Sequence, residues 1–205
     1  MVHFEFTDEA SETKSLAPVT YLPGVTPVDI DANAAEAAEA AEERERAEKV
    51  LLHRLRGRSL STAEAYAILS ATDIEPDEAD DIVERFSELN YIDEEKLADQ
   101  IIHSHHERKG LGRTGVEAEM RRRGVDAFVI LGKLEELPDD EIERAIELAC
   151  TRVQQLERFD DKTIDRRLTG FLMRKGYASS AVRVAVKAAL ASRSGSGGTQ
   201  TVRFR

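Results

Sequence analysis

The feature that most constrains this chain is a turn that recurs. Asp73, Gly124 and Gly176 stand at steps of 51 and 52 residues, and each is framed alike. Four residues earlier comes an apolar side chain (Leu69, Met120, Leu172), and one residue later another (Ile74, Val125, Tyr177). A longer helical stretch precedes each short helix, at residues 34–56, 94–109 and 140–156. A further stretch follows each turn, at 77–89, 126–135 and 178–191. Units of about 50 residues cannot bury their apolar faces alone and stack on their neighbours. The chain is therefore predicted to be all-α, with three tandem three-helix, helix-turn-helix-like repeats forming an elongated array of nine helices. The boundaries read as a disordered arm at 1–33, repeats at 34–92, 93–137 and 138–191, and a flexible tail at 192–205.

Local signals agree with this reading. Residues 34–56 are rich in Ala, Glu and Arg, strong helix formers, and Asp31 or Asn33 is placed to cap them. The second half of that stretch carries Ala47, Val50, Leu51 and Leu55 on one face. The first half has only alanines and is expected to project into solvent. Ser61 and Glu64 have capping-box spacing, and Ile82, Val83, Phe86 and Leu89 recur at helical spacing. Strand-like composition occurs only at 19–28, where prolines break it. Gly124 and Gly176 follow the basic ends of their short helices, where a left-handed C-cap favours glycine and cations suit the dipole.

Composition excludes several classes. Aromatic residues are 5% and Trp is absent, which disfavours aromatic-rich sandwiches and barrels. No apolar run reaches 18 residues, so a membrane-spanning helix is not expected. The acidic start MVHFEFTDEA lacks a basic stretch followed by an apolar one, so a secretory signal is not expected. Cys150 is the single cysteine; it reads as a buried structural thiol, and the protein as cytoplasmic.

A search for chemistry finds none. There is no phosphate-binding loop and no strand followed by a dinucleotide glycine pattern. Gly110, Gly112 and Gly115 follow a helix and read as an interhelical turn. His103, His105 and His106 concentrate metal-capable side chains, but no fourth ligand is obvious, and they read as a mixed helix surface with one histidine partly packed. Acidic clusters such as Asp139-Asp140-Glu141 suit helix starts. No catalytic residue, metal or cofactor is expected, and the protein is not expected to be an enzyme.

Charge is the informative property. The net charge of −11 divides into −16 over residues 1–100, −3 over 101–150 and +8 over 151–205. A polarised chain of this kind can lay its basic half on an anionic surface. Residues 108–123 hold Arg108, Lys109, Arg113, Arg121, Arg122 and Arg123 against two acidic residues. Residues 152–193 hold ten basic residues, Arg167, Arg174 and Lys175 among them, against four acidic ones. In the repeat register Arg122 matches Arg174 and Arg123 matches Lys175. The second and third repeats are thus expected to share a basic stripe. Its targets are phosphates or acidic side chains; the alternative is a stripe that only solubilises helix ends.

The run YIDEEKLADQIIHSHHERKGLGRTGVEAEMRRRGV at 91–125 resembles the RecX family of bacterial recombination regulators. The similar features are Tyr91-Ile92-Asp93, Leu97-Ala98, Arg108-Lys109-Gly110, Gly112, Met120-Arg121 and Gly124-Val125. The third repeat adds Phe171-Leu172-Met173-Arg174-Lys175-Gly176-Tyr177, and the first adds Leu55 and Arg58-Ser59; together they cover about 47–190. The resemblance implies three tandem three-helix repeats and no cofactor. It also implies a monomer that binds the RecA–DNA filament in its groove, with single- or double-stranded DNA as a further contact. The implied role is to restrain RecA's recombinase, ATPase and co-protease activities in DNA repair and the SOS response. The partner-binding residues are then Arg108, Lys109, Arg113, Arg121, Arg122, Arg123, Arg167, Arg174 and Lys175. The competing reading is an independent helix-turn-helix DNA-binding protein. The net charge of −11 and the lack of a helix with Asn, Gln and Arg at base-reading spacing weigh against it.

Overall fold

A computed structural model describes residues 27–196. Among them the backbone forms nine α-helices and no strand. These are α1 (Pro27–Gly57), α2 (Thr62–Leu69), α3 (Pro76–Glu88), α4 (Glu94–Ile101), α5 (Arg113–Arg122), α6 (Ala127–Glu135), α7 (Glu141–Gln154), α8 (Asp161–Arg174) and α9 (Ser179–Ser196). The stretch expected as one helix at 94–109 changes character midway, because Ile102–Arg108 is π-helical. The expected contrast of a long helix before a short one fails in the third triplet, where α7 and α8 have 14 residues each.

Each successive triplet buries its own core, so a unit of about 50 residues does enclose an apolar cluster by itself, contrary to expectation. Helices α1–α3 enclose Ala47, Leu51, Leu60, Ala65, Leu69, Ile82, Val83, Phe86 and Ile92. Helices α4–α6 enclose Leu97, Ala98, Ile101, Val116, Met120, Val125 and Ile130. Helices α7–α9 build the largest cluster, around Ala149, Ile164, Leu168, Leu172, Tyr177, Val182 and Val186. The register positions Leu69, Met120 and Leu172 are each fully buried, one per cluster. Such a side chain contributes about 1.5–3 kcal/mol by leaving water.

Several expected boundaries shift, each for a local reason. Helix α1 begins at Pro27, ahead of Asp31 and Asn33, so residues 27–33 of the expected arm fall within it. Proline tolerates the first helical turn, and the alanine-rich sequence beyond it propagates the helix. The rest of the expected arm, residues 1–26, lies outside the described residues, as does the strand-like stretch up to 26. The chain divides into two units at Glu42/Glu43. In the first, residues 33–39 are all exposed, as their alanine-only pattern predicts. At the other end α9 runs on to Ser196. There the Ser192 hydroxyl donates to the Ala189 carbonyl (2.8 Å), and Arg193 donates to the Glu157 carbonyl (3.1 Å) and pairs with Asp161. Residues 192–196 of the expected tail therefore belong to α9, and 197–205 lie outside the described residues. Val50 is exposed rather than on the buried face, which passes through Ala47 and Leu51, and Leu89 is exposed because α3 has ended at Glu88. Cys150 is only half-buried, its sulfur 3.9 Å from the Ser192 hydroxyl.

The turns follow the expected chemistry in two triplets of three. Gly124 (φ 69°) and Gly176 (φ 80°) are left-handed. Val125 N–H donates to Met120 O (3.1 Å) and Tyr177 N–H to Leu172 O (3.2 Å), closing the two helix ends identically. Asp73 does not adopt this conformation. A side chain there would cost about 1–2 kcal/mol, and the Thr72 hydroxyl instead satisfies the Leu69 carbonyl at 2.6 Å.

The triplets are joined by a repeated contact. Where α1–α3 meets α4–α6, the Ser61 hydroxyl, the N-cap of α2, donates to the Arg123 carbonyl at 2.6 Å. Where α4–α6 meets α7–α9, the N–H of Gly112, the N-cap of α5, donates to the Lys175 carbonyl at 2.9 Å. Ser61 and Gly112 are 51 residues apart, and Arg123 and Lys175 are 52 apart. Each joint therefore seats the turn of one helix-turn-helix on the start of the preceding one. At the second joint the two backbones come into direct contact. A Cβ on Gly112 would lie 2.5 Å from Gly176 O, and one on Gly115 2.5 Å from Lys175 O. The glycine cluster read as a turn is a turn only at Gly110 (φ 63°); Gly112 and Gly115 are glycines so that the two backbones can touch.

Candidate interaction surface

The expected basic stripe separates into three groups of side chains with different duties. The first group is structural. Arg123 is the C-cap of α5, and its side chain is only 17% exposed. Its guanidinium donates to Glu64 (2.7 and 3.0 Å) and to the Ser59 carbonyl (2.8 Å), tying the first joint. Lys175, at the equivalent position, donates to the Lys109 carbonyl at 2.5 Å across the second. Arg113 turns inward and caps α6, donating to the carbonyls of Leu134, Leu137 and Pro138. Arg123 and Lys175 each bond across a joint, and Arg113 bonds within its own triplet.

Glu64 shows how tightly the first joint is wired. Its carboxylate completes the capping box, accepting from Ser61 N–H at 3.2 Å, and also accepts from Arg58 at 3.0 Å. Burial pushes its pKa up, but the hydrogen bonds from Arg123, Arg58 and Ser61 outweigh that and hold it at about 2.

The second group is exposed and paired within its own helix. Arg121 meets Glu117 at 2.6 Å, and Arg122 makes a two-pronged contact with Glu119, with Nε at 2.8 Å from Oε2. The Arg122 hydrogen bond lowers the Glu119 carboxyl against the opposing effect of burial. Arg108 and Lys109 are exposed at the end of the π-helical turn, with Lys109 Nζ 2.9 Å from His105 Nε2. As expected, one histidine of the run is packed. His106 is buried with Nδ1 3.0 Å from the Leu111 carbonyl, while His103 is exposed beside Glu107. Among the described residues no group of His, Cys, Asp and Glu could hold a metal.

The third group converges. Arg152 on α7 and Arg166, Arg167 and Arg174 on α8 line a cleft of about 280 Å³ with Leu156, Gly170 and Phe171. Phenyl rings lie beneath two of these cations, and Arg152 also donates to the Gln155 side chain. The Arg167 guanidinium lies 4.1 Å from the Phe159 centroid, and that of Arg152 lies 5.3 Å from Phe171. Among the described residues no carboxylate lies within ion-pair distance of these four arginines. Arg167 and Arg174 were legible as basic residues of the third repeat. Arg152 and Arg166 were not singled out, although the spacing Arg167-Gly170-Phe171-Arg174 marks one helix face with a gap in it. A second feature had no signal in the charge pattern: Phe128 and Leu131, one turn apart on α6, are 84% and 56% exposed. Among the described residues no helix is long and apolar enough to cross a membrane.

Three stacked helical triplets define a tandem-repeat all-α scaffold. Residues 93–131 match the second three-helix domain of RecX, and residues 139–186 match its third. A Regulatory protein RecX of Mycolicibacterium smegmatis is 33% identical over 141 residues, covering 66% of this chain and 74% of that protein. That of Mycolicibacterium vanbaalenii is 30% identical over 172 residues, covering 80% of this chain and 94% of that protein. The crystal structure of RecX from Lactobacillus salivarius shares the fold with a TM-score of 0.65 at 15% identity, covering 74% of this chain and 99% of its own. The chain belongs to the RecX family of regulatory proteins.

Proposed function

We propose that this protein binds the RecA–DNA filament in the cytoplasm and restrains it. It lowers DNA-dependent ATP hydrolysis, strand exchange and the stimulation of repressor self-cleavage during DNA repair and the SOS response. Membership of the RecX family supports a regulatory role. The observation that carries the reading to a surface is the cleft of Arg152, Arg166, Arg167 and Arg174, where cations converge without carboxylate partners among the described residues. Arg108, Lys109, Arg121 and Arg122 extend the basic surface onto the second triplet. The Arg121 and Arg122 guanidinium groups are exposed at their salt bridges, so exchanging a Glu for a phosphate there costs little. A rigid array offering separate contacts binds a repeating filament by avidity, without a deep pocket.

The test is co-sedimentation of the full chain with RecA assembled on single-stranded DNA in a non-hydrolysable ATP analogue, followed by ATPase and repressor-cleavage assays. Binding that weakens with salt, together with a fall in both rates at equimolar protein, is expected. Unchanged rates beside sequence-specific duplex binding would favour an independent DNA-binding protein.

A further inference from the structure

Gly170 occupies the middle of α8, where glycine weakens a helix relative to alanine. Side chains on Gly112, Gly115 and Gly176 would strike backbone, whereas Gly132 inside α6, like Gly170, has no such packing reason. A Cβ on Gly170 would meet only the Arg174 Nη1 atom, at 3.3 Å. The helix thus carries a destabilising residue whose effect is to leave a notch. That notch lies between Arg167 and Arg174, seven residues and about 10 Å apart along the helix axis. Arg152 faces it from α7, and Phe171 and Leu156 help line it.

We infer that this notch is a phosphate site that takes the backbone of a single nucleic-acid strand. The inference rests on the filament reading above for the source of the strand and names which part of the filament the third triplet grips. The donor chemistry argues for phosphate over carboxylate. All four cations are arginines, whose planar forks match the several acceptor oxygens of phosphate and are more weakly hydrated than lysine. The phenyl rings under Arg152 and Arg167 restrain these side chains before a ligand arrives, which lowers the entropy cost of binding. A strand brings successive phosphates to successive guanidinium groups, whereas a free phosphate fills one place only.

The experiment is fluorescence anisotropy of labelled oligo(dT) with the full chain alone, across a salt series. Four arginine–phosphate contacts predict a log–log salt slope of about −3, a loss of roughly 50-fold between 50 and 200 mM salt. Replacing two of them, in Arg167→Gln with Arg174→Gln, is expected to make the slope shallower by about 1.4 and to weaken binding at least tenfold at low salt, with unchanged circular dichroism. Gly170→Leu is expected to weaken binding comparably while raising the melting temperature by about 2 °C, because it fills the notch with a good helix former. Orthophosphate and ATP are expected to compete only at millimolar concentration. Three results overturn the site: a slope indifferent to the double substitution, Gly170→Leu binding like the parent, or polyglutamate competing as well as unlabelled oligo(dT). Filament binding that depends on Arg167 and Arg174 without any binding to oligo(dT) overturns the nucleic-acid assignment and leaves the filament reading standing. Binding to oligo(dT) as described without binding to RecA filaments does the reverse.

Discussion

The two joints of the array solve one geometric problem with different materials. Both seat a left-handed glycine turn against the N-terminus of the preceding short helix. At the first, Gly124 rests on the Ala63 side chain, and the closure is ionic through Arg123, Glu64 and Arg58. At the second, Gly176 rests on Gly115, and Lys175, Tyr177 and Arg144 donate to the carbonyls of Lys109, Gly110 and His106 with no carboxylate involved. The difference separates what geometry requires, a carbonyl meeting an N-cap donor, from what sequence can vary. A joint built from side chains tolerates compensating changes and responds to pH. One in which backbone touches backbone does neither.

The largest effect is expected at Gly176. Gly176→Ala adds a methyl that collides with the Gly115 backbone, on top of the left-handed penalty, and is expected to cost about 3 kcal/mol or more in urea unfolding. Gly124→Ala meets the same penalty but only a methyl, Ala63 Cβ at 2.8 Å, and is expected to cost about 1–2 kcal/mol. Ala63→Gly in the Gly124→Ala background is expected to recover part of that loss, whereas no side-chain change should recover Gly176→Ala. Equal costs, or a rescue at both joints, would break the distinction.

Protonation separates the joints next. Glu64 titrates near 2 in the folded protein against about 4.5 for the free side chain. Its stabilisation is therefore complete above about pH 4.5 and is lost as pH falls toward 2. Glu64→Gln keeps the capping geometry but loses the charge-assisted bonds, and is expected to cost about 1–2 kcal/mol at neutral pH. Its stability should also fall less steeply between pH 4.5 and 2 than the parent's, as read by denaturant midpoints across that window. Lys175→Met, at the equivalent contact of the second joint, should leave that acid limb unchanged.

What could be read in advance follows the range of the interaction. The recurring turn, the capping box of Ser61 with Glu64 and the buried Leu69, Met120 and Leu172 depend on neighbours within a few residues, and all stand in the sequence pattern. Gly112 and Gly115 looked like a turn because their partner, Gly176, is about 60 residues away and is recognisable only when two backbones touch. Arg123 looked like surface charge because Glu64 lies 59 residues upstream. Charge counting could not separate it from Arg122, its neighbour, which faces solvent. The start of α1 was missed because proline and alanine extend a helix past the polar residues taken as its caps.

The smallest effect on stability, and the sharpest test of duty, lies one residue before each joint. Arg122 and Arg174 end α5 and α8 at equivalent positions, both exposed, next to the joint residues Arg123 and Lys175. Neither holds the array, so Arg122→Glu and Arg174→Glu are each expected to move the melting temperature by no more than about 2 °C and to leave helical content unchanged. Of the two, Arg122→Glu should cost more stability, because the new carboxylate faces Glu119 one turn back. Arg174→Glu meets no carboxylate among the described residues but reverses the charge at the cleft beside Gly170, so it should weaken filament binding more. Stability and binding are thus expected to rank the two variants in opposite orders. If both measurements rank them alike, or if the double variant binds as tightly as the parent at every salt concentration, the basic face only keeps the chain soluble. The partner surface should then be sought at Phe128 and Leu131 of α6.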